Sequence, residues 1–268
     1  MQTIQVPFLF QDLWKQARGR KHKEHLEAIS QQDWHDFPAY ESSNKHLRVE
    51  DKRGQLLVYR LRIPEKFTAT LTDTEALIPK RATSTHSRGT TSQRYLGLWK
   101  KYVTEPRMTS DYLKDLPSSQ EWLDANQPYF QHMTNILRIL EPKMYVRYTS
   151  IKDFLPKGLK PAYGVWYACG ILQNMTEDRM THMDISDYYC GLNVNTAWGT
   201  FTSVKLVFWQ LRLVVEVKPG DTILFLPRVI TYNVVDIQGG VRNIVDTFVH
   251  QALLYWKDTK HKELTGYG

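Results

Sequence analysis

Residues 219–251 read "PGDTILFLPRVITYNVVDIQGGVRNIVDTFVHQ", and the reading of this stretch decides the fold. Three β-prone runs follow one another, "DTILFLP", "TYNVVDI" and "RNIVDTFVHQALLYW", the last running on past the quoted stretch. Turn signals bound them, "KPGD" at 218–221 and "QGG" at 238–240. The same texture reaches back to about residue 143, through "YVRYTSI", "YGVWYACGIL", "MTHMDI", "YCGLNVNTAWG" and "VKLVFWQLRLVVEV". A succession of short strands without long intervening helices describes a sandwich or jelly roll, not a doubly wound sheet. Ahead of it, residues 108–141 read as helical. Thr109 or Ser110 caps a short helix, and Ser118 with Glu121 three places on makes a capping box. Met133, Ile136, Leu137 and Leu140 then recur at helical intervals until Pro142 stops the run. Helices before strands predict an α+β protein.

The remainder divides accordingly. Residues 1–107 form an N-terminal helical and basic portion with one strand, "GQLLVYRLRIP" at 54–64; residues 108–268 form the helix-supported β core. The cluster "KQARGRKHKEH" at 15–25 reads first as a solvated helix face, with a short nuclear-import or phosphate-binding patch as the alternative. The segment 76–104 contains no Asp or Glu and carries Lys80, Arg81, Arg88, Arg94, Lys100 and Lys101. Rich in Ser, Thr and Gly, it is expected to be a flexible loop that touches phosphate, so these six cations are the DNA-binding candidates. A net charge of +7 and a pI of about 9.2 likewise favour a polyanionic partner. Two cysteines, Cys169 and Cys190, make no disulfide framework and suit a reducing compartment. No apolar run reaches the roughly 18 residues a membrane span needs, and the first residues lack the order of a secretory signal. An intracellular protein is expected.

Upstream of the opening stretch, residues 181–189 read "THMDISDYY". His182 and Asp184, at i and i+2 on a strand, would point to one face. One carboxylate and two imidazoles form the facial triad of non-haem iron oxygenases, so this pair asks for a third ligand downstream. The stretch 219–251 resembles the closing half of the 2-oxoglutarate/Fe(II) dioxygenase double-stranded β-helix. In that superfamily a "PGD" turn leads to a strand, then to the second ligating His. About ten residues later comes a basic residue that grips the cosubstrate. Arg242 fills the basic position; ten residues earlier stands Tyr232, where the superfamily has His. "QNMTEDRMTHMD" and "NVNTAWGTF" match the flanks of the metal motif, with Asn174 as a further cosubstrate contact. The resemblance covers roughly residues 143–256 and is greatest to the fungal TET/JBP branch, the modified-base DNA dioxygenases. It implies Fe(II) on His182, Asp184 and Tyr232, with 2-oxoglutarate on Arg242. It also implies oxidation of a methylated DNA base, 5-methylcytosine or N6-methyladenine, extruded from the duplex. Such a substrate places the protein in the nucleus.

Tyr232 is the departure. A phenol has a pKa near 10, so the metal must displace its proton, and phenolate favours ferric over ferrous iron. Weakened iron binding and impaired turnover follow. A natural loss of the ligand, a substitution in an otherwise active protein, and a working site that uses Tyr232 all stay open at this point. Two other functions also stay open: a non-catalytic DNA-binding relative, and a hydroxylase of a protein or small molecule. Asn233 would face the opposite side of the strand from Tyr232, and His250 lies too far along the next strand to be favoured as a ligand. Trp198, Tyr188 and Tyr189 are expected in core packing, and the tail "YWKDTKHKELTGYG" in solvent.

Overall fold

The computed structural model describes residues 1–17, 28–29, 32–78, 84–86, 89–100, 103–159, 161 and 163–265, and the side chains of all of these but 84–86, 89–91 and 263–265. Among the described residues fourteen strands form two sheets. In chain order they are β1 (Gln2–Gln5), β2 (Ala39–Tyr40), β3 (Leu47–Glu50), β4 (Leu56–Arg62), β5 (Ser84–His86), β6 (Gly89–Trp99) and β7 (Arg107–Met108). They continue as β8 (Ala168–Met175), β9 (Asn193–Gly199), β10 (Ser203–Phe208), β11 (Leu213–Val217), β12 (Asp221–Phe225), β13 (Tyr232–Gln238) and β14 (Arg242–Phe248). The large sheet runs β1-β3-β4-β12-β9-β14-β8-β6-β5, with β7 on β6; the small one runs β13-β10-β11-β2. From β9 to β14 the chain passes through the large, small, small, large, small and large sheets in turn, the winding of a double-stranded β-helix. The jelly-roll core within an α+β protein is as the sequence predicts.

The helices are α1 (Phe10–Gln16), α2 (Glu65–Asp73), α3 (Ser110–Lys114), α4 (Leu116–Leu140), α5 (Pro142–Thr149) and α6 (Gln251–Thr265). Helix α4 carries the large sheet on its apolar side, burying Trp122, Tyr129, Phe130, Met133 and Leu137 at intervals of three, four or seven. Its Tyr129 hydroxyl meets Thr196 Oγ1 on β9 at 2.7 Å, and Thr196 meets Thr222 Oγ1 on β12 at the same distance. The three hydroxyls satisfy one another where water is excluded. Among the described residues no helix is long and apolar enough to cross a membrane.

Several expectations need correction. The acid-free segment is not a flexible loop where it is described: Gly89–Trp99 is an eleven-residue strand paired with β8. Strands β1, β3, β4 and β6 complete the large sheet, so residues 1–107 are not a separate supporting portion. Alternating apolar residues there bury one face against the core, which composition alone did not weigh. Helix α4 starts before Ser118, with Pro117 in its first turn, whereas Thr109 does cap α3 by accepting from Tyr112 N at 3.3 Å. Pro142 does more than end a helix; it opens α5, which takes in most of "YVRYTSI". "MTHMDI" forms no strand, only the isolated bridge His182–Tyr232. Where it is described, the tail is helical, part of α6, with Trp256 buried and Tyr255, Thr259, His261 and Lys262 exposed as expected. The cluster at 15–25 lies almost wholly outside the described residues.

Candidate active site

A cavity of about 370 Å³ opens between the sheets, within the roughly 300–1,000 Å³ of ligand pockets. Strand β14 contributes every second residue to it, Arg242, Ile244, Asp246 and Phe248, with His250 following. Gly239 and Gly240, at φ 64° and 39°, make the turn that sets where β14 begins; a Cβ on Gly240 would collide with the Thr200 carbonyl. From β13, Tyr232 and Val234 face the cavity while Asn233 points away, accepting from Trp209 Nε1 at 2.9 Å.

His182, Asp184 and Tyr232 meet at the cavity wall. The His182 backbone exchanges hydrogen bonds of 3.0 Å with that of Tyr232, and their rings lie 4.4 Å apart. The Tyr232 hydroxyl donates to Asp184 Oδ2 at 2.8 Å. His182 Nδ1 is 2.7 Å from the Met180 carbonyl, which fixes Nδ1 as the protonated nitrogen and Nε2 as the basic one. One imidazole nitrogen, one carboxylate and one phenol oxygen make a donor set that suits iron. It differs from the facial triad in that the phenol must first give up the proton it shares with Asp184. Among the described residues no three His, Cys, Asp or Glu side chains gather to hold a metal.

The second constellation is cationic. Arg242 is 2% exposed, and its Nε has no hydrogen-bond partner. Its Nη1 reaches only Met175 Sδ, at 3.9 Å, and Arg179 points to the same sulfur at the same distance. Burial, and then Arg179, push Arg242 down to about 9, with Tyr232 acting in the opposite sense. Among the described residues no carboxylate lies within ion-pair distance of Arg242. A buried guanidinium so placed suits a bidentate carboxylate ligand.

The third constellation is aromatic and acidic. Trp99 stacks on His250 at 5.5 Å and 14°, and His250 on Phe248 at 5.0 Å and 28°. Asp187 Oδ1 stands 3.8 Å from His250 Nε2, and its Oδ2 accepts from Asn193 Nδ2 at 2.8 Å. Flat surfaces beside hydrogen-bonding edges suit a planar heterocycle.

Of the residues singled out from the sequence, His182, Asp184, Tyr232 and Arg242 share this cavity. Asn174 does not line it: at φ 61° it belongs to a strand irregularity, and its N–H donates to Asn243 Oδ1 at 2.9 Å. Arg94 is buried in β6 with its guanidinium on Asp115, so it is not presented to phosphate. Lys100 is half-buried at the end of β6; Lys80, Arg81, Arg88 and Lys101 lie outside the described residues. Trp198 and Tyr188 are core residues, and Tyr189 stacks on Trp14 at 4.5 Å. Arg179, Asp187, Asp246, Phe248 and His250 were missed. Two-residue alternation from Arg242 was the available signal for the last three.

No protein-family model and no curated protein matches the chain. Among solved structures, NgTET1 in complex with 5mC DNA aligns over 90% of both chains, with a TM-score of 0.61 and 16% identity. The chain therefore has the fold of this TET structure, the architecture that the motifs resemble. Two more distant structures reach a TM-score of 0.42. One is an oxidoreductase of the 2OG-Fe(II) oxygenase family from Burkholderia pseudomallei (14% identity, 70% of this chain and 84% of that one); the other is OsALKBH1 (13%, 72% and 96%).

Proposed function

We propose that the chain is a 2-oxoglutarate- and iron-dependent oxygenase that acts on a methylated DNA base, with turnover impaired by Tyr232. The observation that carries this reading is Arg242, buried and unmatched by any carboxylate among the described residues, in the same cavity as His182, Asp184 and Tyr232. A dicarboxylate supplies the missing anion, and Arg179 adds a second cation at that end. His182 Nε2, Asp184 and, after loss of its proton, Tyr232 would hold the iron. Bound there, iron with the keto-acid supplies oxidising power that the side chains lack. The protein's share is orientation and exclusion of water. Asp187, His250, Phe248 and Trp99 form the stack and edge for an extruded base. DNA is also the ligand in the NgTET1 complex, and the net charge of +7 agrees with a polyanion. A nuclear location follows from such a substrate.

The test is Tyr232→His. It is expected to raise both iron affinity and keto-acid decarboxylation; no change in either would show that Tyr232 does not hold the third ligand position. One observation favours a non-catalytic DNA-binding relative: the Tyr232 hydroxyl already satisfies Asp184 with a proton in place of a metal. In that case the wild-type chain binds modified DNA and consumes no 2-oxoglutarate.

A further inference from the structure

Arg228 sits in the tight turn between β12 and β13, where Val229 and Ile230 donate their N–H groups to the Leu226 carbonyl at 3.1 and 3.0 Å. From Asp221 to Val235 every other residue is buried, and Arg228 alone reaches the surface, half-buried. Pro227 ties the turn to the loop that carries the metal-binding pair, its carbonyl accepting from Asp184 N at 2.9 Å. The Arg228 guanidinium lies 6.0 Å from the centroid of the Trp14 ring, and Trp14 stacks on Tyr189, five residues on from Asp184. Backbone and side chain are thus both placed against the same loop. Yet the guanidinium makes no hydrogen bond or ion pair among the described residues, and it does not line the cavity. A partly desolvated cation resting on an aromatic face with its donors unused is suited to an anion from outside the chain.

Resting on the base-oxygenase reading above, we infer that Arg228 is a phosphate anchor, holding the DNA strand outside the cavity while its base lies within. A base drawn from a duplex brings its own flanking phosphates to the rim of the pocket that receives it. Arg228 stands outside that pocket, one residue from the backbone contact to Asp184. The dicarboxylate is not its ligand, because Arg242 and Arg179 line the cavity and Arg228 does not. A guanidinium can meet phosphate oxygens with a bidentate edge while its face stays on Trp14. Burial lowers the Arg228 pKa, with Asp187 and then Tyr255 acting in the opposite sense. An arginine keeps its charge at neutral pH all the same. Phosphate contacts fix the register of a strand and carry no sequence information, so the role is one of positioning.

The experiment measures binding of the full-length chain to a duplex with one 5-methylcytosine, and to its unmodified counterpart, over a series of salt concentrations. Binding of 2-oxoglutarate is followed in parallel by calorimetry. Arg228→Gln is expected to weaken binding of the modified duplex about tenfold and to reduce the slope of log affinity against log salt by about 1, the share of one phosphate. Its 2-oxoglutarate affinity should stay at the wild-type value. Arg228→Lys, which keeps the charge without the fork, should keep the wild-type slope and recover part of the affinity. An unchanged slope in Arg228→Gln, or a slope lost equally in Arg228→Lys, would overturn the inference while leaving the base reading in place. So would a loss of 2-oxoglutarate binding in Arg228→Gln, which would make the residue a support of the loop. If the wild type binds neither duplex, or both without dependence on salt, the base reading itself fails and the inference falls with it.

Discussion

Strand β14 supplies both Arg242 at one end of the cavity and Asp246 four residues on, roughly 13 Å away along an extended chain. Arg242 is buried and Asp246 half-buried with one carboxyl oxygen sealed, and desolvation works against the charge of each. They respond differently. A guanidinium keeps its proton even when pushed down to about 9, so Arg242 stays a cation at neutral pH and attracts an anion. Burial and the nearby Asp184 and Asp187 carboxylates raise the Asp246 pKa well above the usual carboxylate value, so its charge is disfavoured. One strand therefore carries a cation that keeps its charge and a carboxyl whose charge is opposed, and the difference lies in the chemistry of the two groups.

This contrast can be broken at the cation first. Arg242→Met, which keeps the volume and removes the charge, is expected to weaken 2-oxoglutarate binding by about 100-fold, measured by calorimetry. An unchanged affinity would place the dicarboxylate elsewhere. Tyr232→His should raise iron affinity by roughly 10–100-fold at neutral pH, read by metal titration, because the imidazole needs no proton displaced. Raising the pH sharpens the comparison. Arg242 loses its proton as pH rises through about 9, so keto-acid affinity should hold below that value and fall by up to about tenfold per unit above it. In Arg242→Met this fall should vanish. The smallest effect is at the acid. A raised carboxyl pKa means that the folded state holds a proton the unfolded chain releases as pH rises above its ordinary value of 3.8. Stability is therefore greatest in acid and declines above that value, toward the folded pKa. Asp246→Asn removes this dependence and should raise stability at neutral pH by about 1 kcal/mol, measured by denaturant unfolding.

How far the molecule was legible in the sequence varies by element. Strands β9, β12, β13 and β14 were readable because each is a short apolar run closed by turn residues, whereas "VKLVFWQLRLVVEV", read as one run, turns at 209–212 into the two strands β10 and β11. Helix α5 was misread because "YVRYTSI" is rich in β-branched and aromatic residues, while Pro142 at its first position and packing on α4 carry it into a helix. Strand β6 was misread as a loop because its Ser, Thr and Gly content suggests one, yet pairing with β8 satisfies its backbone. In the site, His182 and Asp184 were paired by their i, i+2 spacing, and Tyr232 and Arg242 were placed by the resemblance to the dioxygenase motif. Arg179 lies outside any strand, its backbone N–H donating to the Val234 carbonyl at 2.8 Å, and no periodicity leads to it.

By itself the sequence determined the α+β class and the run of short strands, because alternation and turn residues are properties of the chain, while the resemblance to a motif picked out four residues that share one wall. Only the tertiary structure decided that Arg94 faces Asp115 instead of phosphate, that Arg242 lacks a carboxylate while Arg179 lies beside it, and that Asp246 lines the same cavity as Arg242. Partnership and desolvation depend on groups far apart in the chain, so they exist only once the sheets have closed on one another.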